Sequence, residues 1–362
     1  MAVDAHYGDR VTTFALAGFG FRAAAFHRVA RALPQVRCVG AVVRAPGNRT
    51  LPVPAYGDLT ECVREARPDF LVTAVPWTAN PGIIADAVAL GLPVLAETPP
   101  AADLPGLRAL WAAVGGSGLV QVAEQYLLMP GHAARLAAVR SGVIGAPTQV
   151  QVSSTQQYHA VSLIRGLLGA GHAPARVRAV RTVAPLLDPL DRAGWTDDPR
   201  PKQATTTIAT LHFDGGGSGV YDFTTGQTRN LLRFRRLLVR GTHGELSDDE
   251  IVHMPAPQTI TRTPMVRRQS GHDLDLNGFD TETIALGAQV LYRNPYPGCR
   301  FNDDEIATAT LLDAMAAWVR GAGPPPYPLA DGAQDHLLAL AIEQAADTGQ
   351  EITTTTEAWS AE

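Results

Sequence analysis

Two groups of residues in this chain have types and spacing that could do chemistry. The first is Gly18-Phe19-Gly20-Phe21-Arg22-Ala23, which follows the apolar run 11–17 and opens an alanine-rich segment that Pro34 stops. A glycine loop between a first strand and a first helix is a cradle for a dinucleotide diphosphate. Gly18 permits the tight turn, Gly20 lets the backbone approach the anion, and Ala23 keeps the helix close to the sheet. The second group is Tyr158-His159, just before Val161, Ile164, Leu167 and Leu168, whose helical spacing puts His159 in a first helical turn. The positive end of the helix dipole there favours a neutral imidazole. Such a ring could take the hydroxyl proton of a substrate while hydride leaves the same carbon, or return it in reduction. The plainer alternative is a capping or packing histidine.

Other polar residues carry narrower expectations. The phenols of Tyr158 and Tyr126, with an ordinary pKa of about 10, need a neighbouring positive charge to act as bases. Arg44 stands where the second strand ends, a place often taken by an acid that binds the ribose 2′-hydroxyl. A cation there, helped by Arg49, suits a 2′-phosphate, so the cofactor is expected to be NAD(P) with a lean to NADP. Pro76, Trp77 and Asn80, beyond the third parallel strand, are expected along the cofactor at the carboxyl edge of the sheet. Lys202 is the only lysine, in the stretch Asp197-Asp198-Pro199-Arg200-Pro201-Lys202. It is read as a solvated loop residue paired with Asp197 or Asp198, with a stand-in for an active-site ammonium as the sharper alternative. The ten histidines show no ligand spacing, and no metal is expected.

The elements that must position these residues follow from the apolar pattern. A chain of 362 residues with 46% apolar and 18% charged residues suggests two globular domains. A net charge of −5 argues against nucleic acid or an anionic membrane as partner. Cys38, Cys62 and Cys299 lie far apart, residues 1–10 hold no apolar run, and a reducing, cytoplasmic location is expected. The first third alternates strand runs at 36–43, 70–75, 93–96 and 119–123 with helices, one capped by Asp58, one by Asn80 ahead of Pro81, and one over 103–114. Alternation of this kind specifies a doubly wound parallel sheet. After a helix at 132–140, strand runs succeed one another at 148–153, 176–183, 205–213, 218–225 and 234–241, with Gly215-Gly216-Gly217 as a hairpin signal. Helices follow at 302–319 and 331–346, while 188–203 and 255–275 read as mobile, proline-containing loops.

These landmarks resemble the glucose–fructose oxidoreductase/inositol dehydrogenase/MocA (Gfo/Idh/MocA) family over about 11–359. The motifs carrying the resemblance are the glycine loop, Pro76, Asn80-Pro81, Gly91 to Pro99, Ala123-Glu124-Gln125-Tyr126, Ser141 to Gly145, Gly241 to Glu245, and Asn302 to Ile306. The resemblance implies an N-terminal Rossmann domain (1–126) and a C-terminal α+β domain (127–362) with an open, mostly antiparallel sheet. That sheet would join subunits into a homodimer or homotetramer. It also implies hydride transfer between NAD(P) and a secondary alcohol or ketone of a sugar, cyclitol or similar metabolite. Glu97 would lie at the nicotinamide, and Gln125, Tyr126, Thr155 and His159 at the substrate. The family's Glu-Lys-Pro reads Glu97-Thr98-Pro99 here, and the aspartate of its D-x-x-x-H reads Thr155. Thr98 would then bond the reacting oxygen as a neutral donor, which stabilises an alkoxide less than an ammonium does. Two alternatives stay open: a non-redox net reaction such as epimerisation or elimination through transient oxidation by bound cofactor, and a catalytically impaired nucleotide-binding protein.

Overall fold

The computed structural model describes residues 10–48, 50–191, 194–271 and 278–361. Arg49 and the end of the 255–275 stretch lie outside them. Two compact units divide the chain: residues 1–123 with 308–329, and residues 124–307 with 330–362.

The first unit starts with strand β1 (Thr12–Ala17), helix α1 (Phe21–Ala30), β2 (Val36–Val42) and β3 (Ala55–Tyr56). It continues through α2 (Leu59–Ala66), β4 (Phe70–Thr73), α3 (Asn80–Ala89), β5 (Val94–Ala96), α4 (Leu104–Val114) and β6 (Val120–Val122). Its strands pair in parallel in the order β3-β2-β1-β4-β5-β6. Because both faces are covered, β4 is buried throughout, which is why Phe70-Leu71-Val72-Thr73 lacks alternation. Asp58 accepts from Glu61 N–H at 2.8 Å, so its capping expectation holds, and Asp103 caps α4 by accepting from Gly106 N–H at 2.8 Å. Asn80 does not cap: Ala79 occupies that position, and Asn80 is the buried first residue of α3. The residues 308–329, read from sequence as part of the C-terminal domain, belong to this unit. Gln35 donates to Asp313 at 2.8 Å, and Arg320 donates to Thr12.

The second unit contains α5 (Pro130–Arg140), β7 (Pro147–Ser153), α6 (Gln157–Leu168), β8 (Ala175–Leu186), β9 (Leu190–Asp191), β10 (Gly194–Trp195) and β11 (Lys202–Phe213). Then come β12 (Ser218–Thr224), β13 (Arg236–Gly241), β14 (Gly244–Ser247), β15 (Glu250–Ala256), β16 (Thr259–Ser270), β17 (Asp280–Leu286) and β18 (Gln289–Arg293). The chain closes with α7 (Asp303–Val319), α8 (Leu329–Thr348) and β19 (Ile352–Thr353). Eleven strands form one sheet in the order β18-β17-β16-β15-β14-β13-β7-β12-β11-β8-β19, and every pair except β7–β12 is antiparallel. Val150, Val152, Val177, Leu211 and Val239 point into a core closed by Val161, Ile164 and Leu167 of α6. α7 begins at a reciprocal cap, with Asn302 accepting from Glu305 N–H at 3.0 Å and Glu305 accepting from Asn302 N–H at 3.1 Å.

Two loop expectations are corrected. Residues 259–270 are strand β16, paired on both sides, and they read as polar because only Met265 of that strand is buried. A strand with its faces in water carries no apolar alternation to detect. The 188–203 stretch holds the short β9–β10 pair and the start of β11, so Lys202 opens a strand rather than sitting in a loop.

α6 is tied to α8 by a buried charge network. Arg165, 5% exposed, bonds the fully buried Asp335, Asp331 at 3.0 Å and the carbonyl of Gly171 at 2.8 Å. Burial alone would raise the Asp331 carboxyl, but the hydrogen bond from His172 and the charge of Arg165 outweigh it and hold it below the ordinary range. Removing one member of a buried pair strands the other charge. Arg165→Met is therefore expected to lower unfolding free energy by about 3–5 kcal/mol. Arg165→Met combined with Asp335→Leu should recover most of that loss, as read by urea denaturation.

Candidate functional site

In the first unit the site residues gather at the carboxyl ends of β1, β4 and β5. Gly18 has φ +87°, and a Cβ there would stand 2.6 Å from the Ala74 carbonyl oxygen, so no other residue type fits without moving β4. Gly20 is different. It is the N-cap of α1, no side chain caps that helix, and a Cβ on Gly20 would meet nothing within 4 Å. The space beside this backbone is therefore open. An uncapped helix N-terminus beside such a space suits a diphosphate, and the residues present fit the expected dinucleotide. Ala23 is fully buried against the sheet, while Phe21 projects into solvent and Phe19 lies near the ring of His27.

Behind this loop runs a polar chain that the sequence gives no direct sign of. Thr73 Oγ1 donates to Asn80 Oδ1 at 2.6 Å, and Asn80 Nδ2 donates to the Glu97 carbonyl at 3.2 Å. Glu97 Oε1 accepts from Arg22 of the glycine loop, and its Oε2 accepts from Thr98 N–H at 3.1 Å. The Glu97 carboxylate thus fixes both the first turn of α1 and the backbone of Thr98. The guanidinium of Arg22 also lies 4.9 Å from the centroid of the Phe26 ring. Thr98 is half-buried, Pro76 turns the chain into α3, and Trp77 and Arg44 are exposed.

In the second unit, His159 lies in the first turn of α6, as its spacing predicts. Its Nδ1 is 2.6 Å from Glu124 Oε2, and the Glu124 side chain is fully buried while that of His159 is 21% exposed. Glu124 Oε1 accepts from Tyr126 N–H at 3.0 Å. The Tyr126 ring stacks on the imidazole, centroids 4.2 Å apart and planes 19° from parallel. His159 is held on one edge by a carboxylate and on one face by an aromatic ring. Tyr158, adjacent in sequence, is placed elsewhere: its buried hydroxyl donates to the Gly332 carbonyl at 3.0 Å. That bond gives the phenol a partner on α8. Gln125 Nε2 donates to Asp304 at 2.9 Å. Thr155 is buried and its Oγ1 has no hydrogen-bond partner. Lys202 pairs with Asp198 at 3.3 Å and is largely exposed, as its solvated reading has it. Among the described residues no three His, Cys, Asp or Glu side chains cluster to hold a metal ion.

The residue that sequence reasoning overlooked is Glu124. It is visible in the Ala123-Glu124-Gln125-Tyr126 landmark, but nothing in the one-dimensional pattern says that its carboxylate is buried against His159. The weak signal is its position directly after the apolar run ending β6, where an ordinary surface acid would not be expected.

A Rossmann-type α/β unit with the 3-2-1-4-5-6 order, joined to a unit with a large mostly antiparallel sheet, is the architecture defined by this chain. No protein-family model and no curated protein matches the sequence. Solved structures do match in fold. An oxidoreductase from Agrobacterium radiobacter in complex with NAD+, L-tartaric acid and magnesium aligns with a TM-score of 0.69 at 15% identity, covering 94% of this chain and 98% of that one. A myo-inositol dehydrogenase from Corynebacterium glutamicum gives 0.64 at 19% identity over 96% and 100%. The WlbA dehydrogenase from Bordetella pertussis, in complex with NADH and UDP-GlcNAcA, gives 0.64 at 17% identity over 96% and 99%. The fold expected from the resemblance, a Rossmann-type unit followed by a unit with a large, mostly antiparallel sheet, is the fold observed.

Two expected outcomes follow from this geometry. Gly20→Ala should leave the unfolding midpoint within about 0.5 kcal/mol of the parent after allowing for backbone entropy, yet weaken coenzyme binding about tenfold or more by calorimetry. Gly18→Ala should damage both. The second concerns His132, whose ring lies near Tyr126 and accepts a hydrogen bond from Arg135 at 3.2 Å. Burial first, then the charges of Arg135 and Arg267, pull this imidazole down to about 3. Between the unfolded value of about 6.5 and that depressed value, the unfolded chain takes up a proton that the folded one refuses. Stability should therefore fall on acidification through this window, by up to about 1.4 kcal/mol per pH unit. Urea midpoints measured from pH 7 to 4 should fall less steeply in His132→Gln, and equal slopes would remove the assignment.

Proposed function

We propose that this chain is an NAD(P)-dependent oxidoreductase acting on a secondary alcohol or ketone of a sugar, cyclitol or related polyhydroxylated metabolite. The observation that carries the reading is the Gly18–Gly20 turn at the switch point of the parallel sheet, with α1 uncapped and open space beside Gly20. When bound, a nicotinamide supplies hydride exchange with a carbon bearing oxygen. The chain's own contributions are separate. Gly18, Phe19, Gly20, Phe21, Arg22 and Ala23 hold the diphosphate through backbone N–H groups, and Asn80 and Glu97 order the strand ends beside it. His159 moves the hydroxyl proton, Thr98 donates a hydrogen bond to the reacting oxygen, and Gln125, Tyr126 and Thr155 line the substrate.

Arg44 supports the finer preference for a 2′-phosphate, since it is exposed just past β2 and no acid occupies that strand end. Two of the solved structures named above, those from Agrobacterium radiobacter and Bordetella pertussis, hold NAD+ and NADH, so this preference rests on Arg44 alone. Assembly into a homodimer or homotetramer through the large sheet is part of the same proposal. Val180 and Ile208 are cross-strand partners on β8 and β11, 58% and 43% exposed, and an apolar pair in open water suits a partner subunit. The three free cysteines fit a reducing compartment. No helix among the described residues is long and apolar enough to cross a membrane.

Calorimetry with NADP(H) and NAD(H), then turnover on a panel of polyols and their ketones, tests the reading. Binding is expected in the micromolar range with NADP tighter, and Arg44→Asp should move the preference toward NAD by about tenfold or more. No binding of either coenzyme at millimolar concentration would end the case for redox chemistry. Coenzyme that co-purifies without external turnover would favour the epimerase or lyase variant of the same site.

A further inference from the structure

The catalytic motif lacks both charged groups that the resemblance leads one to expect, since Thr98 and Thr155 are neutral, yet the second unit contains a fully buried carboxylate in contact with the one retained imidazole. A buried carboxylate is costly unless it is hydrogen-bonded or faces a positive charge. Both Glu124 oxygens have partners here, one on Tyr126 N–H and one on His159 Nδ1. Because an ionised carboxylate only accepts, the 2.6 Å contact requires a proton on Nδ1. The ring's exchangeable site for a substrate oxygen is then Nε2. The stacked Tyr126 ring fixes the plane of the imidazole and, with the Tyr158 ring edge-on at 5.6 Å, limits its rotation. His132 lies beyond the Tyr126 ring, drawn toward its neutral form by Arg135 and Arg267, and Asp304 is engaged by Gln125. The helix dipole opposes charge on His159, but a carboxylate in direct contact outweighs a partial charge of about half a unit.

We propose that Glu124 is the positioning residue for His159. Its buried carboxylate fixes the Nδ1–H form of the ring and stabilises the imidazolium. This rests on the oxidoreductase reading given above and deepens it. A bound nicotinamide would supply the hydride exchange at the substrate carbon. The ring's part would be to give its Nε2 proton to a carbonyl oxygen in reduction, the pair of C=O π electrons forming the O–H bond, and to take the hydroxyl proton back in oxidation, with Nδ1–H kept on Glu124.

The test is a nitrogen-15 NMR titration of the imidazoles in the full-length protein, with His159→Gln used to assign the resonance. In the native protein the neutral ring should carry its proton on Nδ1, and its midpoint should lie above the unfolded value of about 6.5. Glu124→Gln should lower that midpoint by about one unit or more. Glu124→Asp, which keeps the charge on a shorter arm, should restore part of the shift. A neutral ring protonated on Nε2, or a midpoint that Glu124→Gln leaves in place, overturns the proposal. Should Glu124→Gln not fold, the tautomer in the native protein decides alone. The measurement needs neither coenzyme nor substrate. A chain that binds no coenzyme but titrates as described would thus lose the oxidoreductase reading while keeping the pair.

Discussion

The carbonyl oxygen of Ala74 constrains everything built on the first unit. It lies where a Cβ of Gly18 would have to go, so the chain leaving β1 can pass beside β4 only with no side chain and a positive φ. That passage lets β1 occupy the centre of the parallel sheet and lets α1 begin three residues after Gly18. From there the geometry is forced. The helix N-terminus falls at the strand-order reversal, its first turn has no side-chain cap, and the backbone at Gly20 is bare toward open space.

The polar residues around that turn work by mutual restraint more than by net charge. Glu97 engages Arg22 and the backbone of Thr98, while Asn80 joins the Thr73 hydroxyl to the Glu97 carbonyl. The arginine of the glycine loop is thereby matched with a carboxylate. In the second unit the logic is similar but the carboxylate is buried. Glu124 and Tyr126 fix both the edge and the face of His159, and the Arg165–Asp331–Asp335 network ties the helix that bears it to α8. A ring restrained on two sides can keep one tautomer, which a proton-transfer group needs.

Thr98 and Thr155 carry no charge, and the ionisable groups that meet in the second unit are imidazole and carboxylate, from positions 159 and 124. A buried carboxylate has a desolvation cost, and the contacts of Glu124 with His159 Nδ1 and Tyr126 N–H offset it.

Local rules made much of the fold legible. Alternating apolar runs and turn residues gave the parallel sheet, Asp58 and Asp103 announced their helices, and the spacing after His159 placed it in a first turn. The glycine turn was readable because its cause, a backbone conformation, is local. Other features were not. β16 was hidden because a strand wet on its faces has no apolar period, and Asn80 looked like a cap because its buried partners, Thr73 and Glu97, are distant in sequence. Tyr158 and His159 are neighbours with similar chemistry on paper, and only the packing of α6 sends one hydroxyl to Gly332 and sets the other ring against Glu124. Sequence by itself determined which backbone could turn and which faces could be buried, since those depend on near neighbours. The tertiary structure decided which polar atoms meet, because desolvation and hydrogen bonding act on distances that the order of residues does not contain.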